Sequence, residues 1–159
     1  MIDNKEESVR KARARVGKLG LGNMTVIQSN IDYFNGNFDV GVALHACGVA
    51  TDLVLKACLA KRASFVLCPC CYGNLALEMP INYPQSQLFD ERSITRADYS
   101  TLARMADWNN ETGRLAMAVI DMDRLAVVVE QGYTGVLKRL RPSSCTPKHN
   151  LISGRTSKM

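Results

Sequence analysis

One histidine and four cysteines, gathered at two places in the chain, carry most of its chemical potential. Leu44–Asp52 reads LHACGVATD and Cys68–Gly73 reads CPCCYG. An imidazole with a pKa near neutrality can take a proton from a hydroxyl or orient a substrate, and His45 suits either task. It suits equally a hydrogen-bonded structural place at a strand end. The thiols of Cys47, Cys68, Cys70 and Cys71 offer metal coordination, nucleophilic attack, or packing as small hydrophobes. Spacing weighs against the metal, since CPCC is not a pair of CxxC motifs and adjacent cysteines rarely both reach one tetrahedral ion. No acid–base partner besides His45 is evident for a nucleophile. Packing and pocket shape are therefore expected, with no metal. Pro69 should break the strand's hydrogen bonding and turn the chain into the pocket. Gly48 should permit a tight turn or close backbone approach to a ligand. Tyr72 is suited to stacking on an unpaired base or to lining the core.

These residues draw their meaning from the elements that end at them. Asp39–Leu44 is nearly continuous apolar and small, the pattern of a strand buried on both faces. Thr51 is suited to cap a helix from about Asp52 to Lys61, and Ser64–Cys68 reads as the next buried strand. Strand–helix–strand alternation implies parallel strands joined by right-handed crossovers. Ligands of open α/β sheets lie outside the carboxyl ends of such strands, where both motifs fall.

The rest of the chain follows the same logic. Val9, Ala12, Val16 and Leu19 recur at helical spacing within Lys5–Leu19, and Gly20 and Gly22 stop that helix. Met24–Ile31 is a short β-rich run before the turn at Asn35–Asn37. Gly73–Arg92, with Pro80 and Pro84, reads as an irregular loop across the strand ends. Two helices are expected at Ser93–Trp108 and Leu115–Glu130, separated by Asn109, Asn110 and Gly113. Asp121, Asp123 and Arg124 read as helix-surface charges or one internal ion pair. Strands at Tyr133–Leu140 and His149–Ser153, with Arg141–Pro147 between them, complete a single domain over residues 1–154, and Arg155–Met159 is expected to be a disordered tail.

With 159 residues and 47% hydrophobic content, the chain can build one ordinary core. No apolar run approaches the roughly 20 residues that span a bilayer. The charged opening, Met1–Arg15, is not a secretory signal. A cytoplasmic protein without membrane contact is expected, and the six cysteines, two of them adjacent, do not form a disulfide framework. The net charge of +5, clustered near both ends, favours polyanions such as RNA or is simply a solvated helix face and tail.

The pairing of LHACGVATD with CPCCYG resembles the methyltransferase-like domain at the carboxyl end of the glutathione S-transferase C-terminal-domain-containing proteins. A looser version, a His-x-Cys-Gly after one strand and paired cysteines after the next, is similar to the tRNA 2′-O-methyltransferase-type relatives of that domain. Pro142–Ile152, PSSCTPKHNLI, also resembles the end of the former family, so the likeness covers residues 2–154. It implies an α/β, Rossmann-like S-adenosylmethionine-dependent methyltransferase fold, read here from its second strand. The chain enters a helix directly after Met1-Ile2-Asp3-Asn4, with no glycine-rich strand–turn–helix ahead of it. The expectation is a truncated domain, first strand and Gly-rich loop missing, that binds S-adenosylmethionine weakly and lacks an amino-terminal segment as partner.

By the same resemblance, Asp3 is the carboxylate that accepts the ribose hydroxyls, unless it is only a helix N-cap or first-turn acid favoured by the helix dipole. Asn30 falls near the adenine amine, or is a turn residue. His45, Cys47 and Gly48 fall beside the transferred methyl or the target nucleotide, with Cys68, Pro69, Cys70, Cys71 and Tyr72 lining the substrate pocket. The implied activity is methyl transfer, with RNA as acceptor by analogy. The rival is a non-catalytic binding or scaffold module that keeps the fold.

Overall fold

In a computed structural model describing residues 1–75, 81–142 and 144–156, the chain divides into two units, Met1–Asn37 and Phe38–Met159. The first holds β1 (Ile2–Asp3), α1 (Glu6–Lys18) and β2 (Ile27–Gln28). Glu6 and Glu7 open α1, and Arg15 and Lys18 close it, so both ends complement the helix dipole. Val9 is its buried residue, and Gly20 ends it at φ 62°. β1 and β2 pair in parallel, Ile2 opposite Ile27 and Asp3 opposite Gln28. Of the β-rich run Met24–Ile31, only these two residues of β2 become strand. A short 3-10 turn at Ile31–Tyr33 follows.

The second unit is a mixed α/β layer. β3 (Val40–Leu44), α2 (Ala50–Ala60) and β4 (Ser64–Cys68) form the expected strand–helix–strand, with β3 and β4 parallel in register from Val40–Ser64 to Leu44–Cys68. Three helices follow: α3 (Gln87–Glu91), α4 (Arg96–Ala106) and α5 (Glu111–Glu130). β5 (Tyr133–Arg139) and β6 (Asn150–Thr156) complete a sheet of order β3-β4-β6-β5. β6 runs antiparallel to both of its neighbours, so the sheet is not uniformly parallel. The reason is the connection: β5 (ending at Arg139) is followed by β6 (from Asn150) with no crossover helix among the described residues between them, and a direct return reverses the strand.

Several local expectations shift. Helix α2 begins at Ala50 behind Val49, so Thr51 is not its cap; the Thr51 hydroxyl instead donates to the Ala46 carbonyl at 2.6 Å. Helix α5 starts four residues early because the Asn110 side chain accepts from Gly113 N–H, which puts Gly113 inside the helix. Gly73–Arg92 contains α3, whose first turn Ser86 caps through Phe89 N–H; Pro80 falls outside the described residues. β3 is not buried on both faces: Val40, Val42 and Leu44 are 58%, 72% and 66% exposed. Arg155 and Thr156 belong to β6, opposite Thr134 and Tyr133, while residues 157–159 lie outside the description.

Two apolar clusters hold this unit. Leu55 and Cys58 of α2 and Val128 of α5 cover Phe65, Leu67, Tyr133 and Ile152 of the sheet. Tyr72, Leu75, Tyr83 and the α4–α5 residues Tyr99, Ala103, Met117 and Ile120 form the other. Gly154 of β6 lies opposite Phe65 of β4 and Gly135 of β5, and a Cβ there would run into the Phe65 ring. Because that overpacking falls in the middle of the sheet, Gly154→Ala should cost about 1–3 kcal/mol. A lowered urea midpoint with unchanged slope is the expected reading.

Candidate functional site

The two motifs meet at the carboxyl ends of β3 and β4 because backbone bonds interlock them. His45 N–H donates to the Cys68 carbonyl at 3.0 Å, and Gly48 N–H donates to the Cys71 carbonyl at 3.2 Å. His45 and Gly48 both adopt left-handed backbone, φ 55° and 57°. Glycine does so freely, whereas a side chain there costs about 1–2 kcal/mol. The His45 imidazole is exposed at this bend.

Beside it lie three sulfurs. Cys47 Sγ is 3.1 Å from Cys70 Sγ and 3.3 Å from Cys71 Sγ, and Cys70 Sγ is 3.5 Å from Cys71 Sγ. Adjacent Cys70 and Cys71 therefore do reach one point, which removes the geometric ground on which a metal was not expected. Cys47 and Cys71 are exposed; Cys70 is largely buried. Burial, and then its bonds to Cys47 and Cys71, raises the Cys70 pKa, while the contact with Cys47 and then burial raises that of Cys71. Cys68 is not part of the group: its Sγ turns to the Lys148 carbonyl at 3.8 Å, and burial, then Asp121 and Cys145, raises its pKa. Pro69 is buried in the bend between them.

Tyr72 has no face open to a base. It is fully buried, its hydroxyl donates to Asp121 Oδ2 at 2.9 Å, and Arg124 and Lys148 lie over its ring at 5.4 and 5.5 Å. The CPCCYG loop is further pinned by Asp107 at the end of α4, whose carboxylate accepts from Tyr72 N–H and, at 2.8 Å, from Gly73 N–H. Lys148 pairs with Asp107 at 3.2 Å. Sequence reading missed Asp107 and Lys148, since a polar residue at a helix end and another in a connector carry no local signal of this task.

Behind the strand ends sits a buried charge cluster. Arg124 on α5, wholly inaccessible, makes a two-point bond to Asp52 on α2, Nε to Oδ1 at 2.8 Å and Nη2 to Oδ2 at 2.7 Å. Its Nη1 donates to Asp121 Oδ1 at 2.9 Å. Tyr83 and Gln85 side chains donate to Asp52, and the Asn150 side chain to Asp121. Asp123 accepts from Gln85 N–H and from Ser86. Asp121, Asp123 and Arg124 are thus internal rather than surface charges, and Asp52, the last residue of the first motif, is the partner not anticipated. Burial opposes the charge on Arg124, but the facing Asp52 and Asp121 carboxylates hold its pKa well above normal. Burial pushes the Asp121 pKa up, against the pull of Arg124 and of the donors Asn150 and Tyr72.

In the first unit, Asp3 and Asn30 stand at the carboxyl ends of β1 and β2. Asn4 Nδ2 donates to Asn30 Oδ1 at 2.9 Å, and Asp3 Oδ1 accepts from the N–H of Lys5 at 2.9 Å. Lys5 is the N-cap position of α1 and Glu6 and Glu7 are its first-turn acids, so Asp3 braces the entry to the helix and is neither its cap nor part of its first turn.

A family model described as a methyltransferase domain matches residues 1–78. Over those residues the chain is similar to a methyltransferase domain, within a mixed α/β architecture. More particularly, it is a relative of the glutathione S-transferase C-terminal domain-containing proteins, as LHACGVATD and CPCCYG imply. It is 42% identical to the Bos taurus protein of that name over 97% of this chain and 26% of the relative. For the Homo sapiens protein the identity is 41%, over 97% of this chain and 25% of the relative. The Drosophila melanogaster homolog is 42% identical over 98% of this chain and 28% of its own length. The chain thus spans about a quarter of the length of these relatives. No solved structure matches it. Among the described residues, no helix is long and apolar enough to cross a membrane.

Removing one member of a buried ion pair leaves its partner uncompensated. Asp52→Ala should therefore destabilise the chain by about 3–5 kcal/mol, and adding Arg124→Met should recover much of the loss. In that double variant Asp121 loses its cation and its pKa climbs further. The folded chain then holds the Asp121 proton more tightly than the unfolded chain, so stability present at low pH falls as pH rises through the folded pKa. Urea unfolding across about pH 4–8 reads both effects.

Proposed function

We propose that this chain is a Rossmann-like, S-adenosylmethionine-dependent methyltransferase domain whose acceptor is RNA. The observation that carries the reading is the left-handed, exposed His45 at the carboxyl end of β3, bonded to the backbone of the CPCCYG loop. Backbone strain kept at a strand end is a hallmark of sites rather than of packing. The methyltransferase-domain match over residues 1–78 supports the reaction class.

The residue types suit the cofactor. Asp3, half-buried, offers a carboxylate to ribose hydroxyls, and exposed Asn30 offers an amide to the adenine amine. Gly48, with no side chain at a positive φ, lets a ligand approach the backbone closely. When bound, the cofactor supplies an electrophilic methyl group. His45 accepts the proton of the RNA hydroxyl as its oxygen becomes the nucleophile. Cys47 and Cys71 border the acceptor's entry, while Cys68, Pro69, Cys70 and Tyr72 shape the floor from beneath. The net charge of +5, including Lys138, Arg139 and Arg141 at the end of β5 and beyond, draws a polyanionic acceptor through counterion release.

The test is transfer of labelled methyl from S-adenosylmethionine to total small RNA, with cofactor affinity measured separately by calorimetry. His45→Ala should cut transfer ~100-fold or more and leave cofactor affinity and the unfolding midpoint unchanged. Transfer equal to that of the wild type would remove His45 as the base. Normal folding and cofactor binding without any transfer to RNA would leave the non-catalytic binding module as the better description.

A further inference from the structure

We propose that Cys47, Cys70 and Cys71 form a zinc site, three thiolates on one ion with the fourth position open to solvent. The three sulfurs lie 3.1–3.5 Å apart, every pair in mutual contact, and are the group among the described residues whose ligand atoms gather closely enough for one ion. A tetrahedral zinc with bonds of about 2.3 Å needs sulfurs about 3.8 Å apart. The pairs have to open by about 0.3 to 0.7 Å, most for Cys47 and Cys70. A trigonal-planar site needs about 4.0 Å at the same bond length and fits less well.

The sulfurs come from two loops, not one flexible segment. Cys47 lies in the turn that opens α2, and Cys70 and Cys71 follow β4. The bonds from His45 N–H to Cys68 and from Gly48 N–H to Cys71 tie these loops together, and Asp107 clamps the backbone just beyond at Tyr72 and Gly73. The ligands are thus held before any ion arrives, which lowers the entropy lost on binding. Cys70 lies beneath while Cys47 and Cys71 are exposed, so the unfilled side of the tetrahedron faces water. Zinc sites that keep an open position have three protein ligands in this way.

The balance is simple. Three S–H bonds break and three Zn–S bonds form. Three protons pass to the buffer and no electron moves. The resulting group carries one negative charge, which the amino-terminal end of α2 favours.

The fully reduced chain is titrated anaerobically with zinc against a chromophoric chelator, and with Co²⁺ as a spectroscopic probe. One ion per chain is expected, with proton release in weak buffer and an intense sulfur-to-cobalt charge-transfer band. Cys47→Ser and Cys71→Ser, both exposed positions that should leave folding intact by circular dichroism, should each weaken binding about 100-fold or more. Cys145→Ser should change nothing. The proposal is overturned if binding is far below one ion per chain, or if it survives Cys47→Ser and Cys71→Ser but is lost with Cys68 or Cys145.

Discussion

The guanidinium of Arg124 is the constraint on which the second unit turns. It is wholly enclosed, and its Nε, Nη1 and Nη2 donate to Asp52 and Asp121, which in turn accept from Tyr72, Tyr83, Gln85 and Asn150. These partners come from α2, the loop after β4, the stretch ahead of α3, and β6. A charge of this kind does not add stability over a well-packed apolar core of the same shape. What it adds is specificity. An alternative packing that separates the partners leaves a naked charge in the interior, so the arrangement of these segments has one satisfactory solution.

That constraint reaches the site through the ends of the two motifs. Asp52 closes LHACGVATD and Tyr72 stands near the end of CPCCYG, and both are held by the same cluster. The loops between these anchors have little freedom left. Their bonds run from His45 and Gly48 on one side to Cys68 and Cys71 on the other. The exposed imidazole and the three sulfurs are therefore products of a rigid frame rather than of mobile loop tips. Burial and hydrogen bonding have been assigned to the residues that brace, Tyr72, Asp52 and Cys68. Exposure has been left to those with free chemistry, His45, Cys47 and Cys71.

The site also shows how one short string divides its labour. In CPCCYG, Cys68 ends a strand and bonds the connector before β6. Pro69 turns the chain. Cys70 and Cys71 then face Cys47, and Tyr72 returns to the core. Thiols of identical chemistry meet different fates because the backbone direction at each differs by one residue.

Local pattern was enough for the elements whose signal is local. The helical period of Val9, Ala12 and Val16 located α1, the run Ser64–Cys68 matched β4 residue for residue, and the two motifs were placed at neighbouring strand ends. Their type and spacing also carried the family likeness that the relatives bear out. An internal ion pair on α5 was one of two readings the sequence left open, and Arg124 with Asp121 is that pair; the second partner was not legible, because Arg124 meets Asp52 across 72 residues, and only the fold brings them together. The antiparallel insertion of β6 between β4 and β5 was hidden for the same reason, since a strand's sequence does not state its direction. The convergence of Cys47 with two adjacent cysteines depended on both. Periodicity is set by neighbours within a turn or two, so the amino-acid order alone determines it, whereas the ends of α2 and α5 moved by one or more residues from where their cap residues pointed. Which side chains share a point in space depends on backbone paths that are decided only when distant segments pack, and that is where this chain acquired its thiol cluster and its buried arginine.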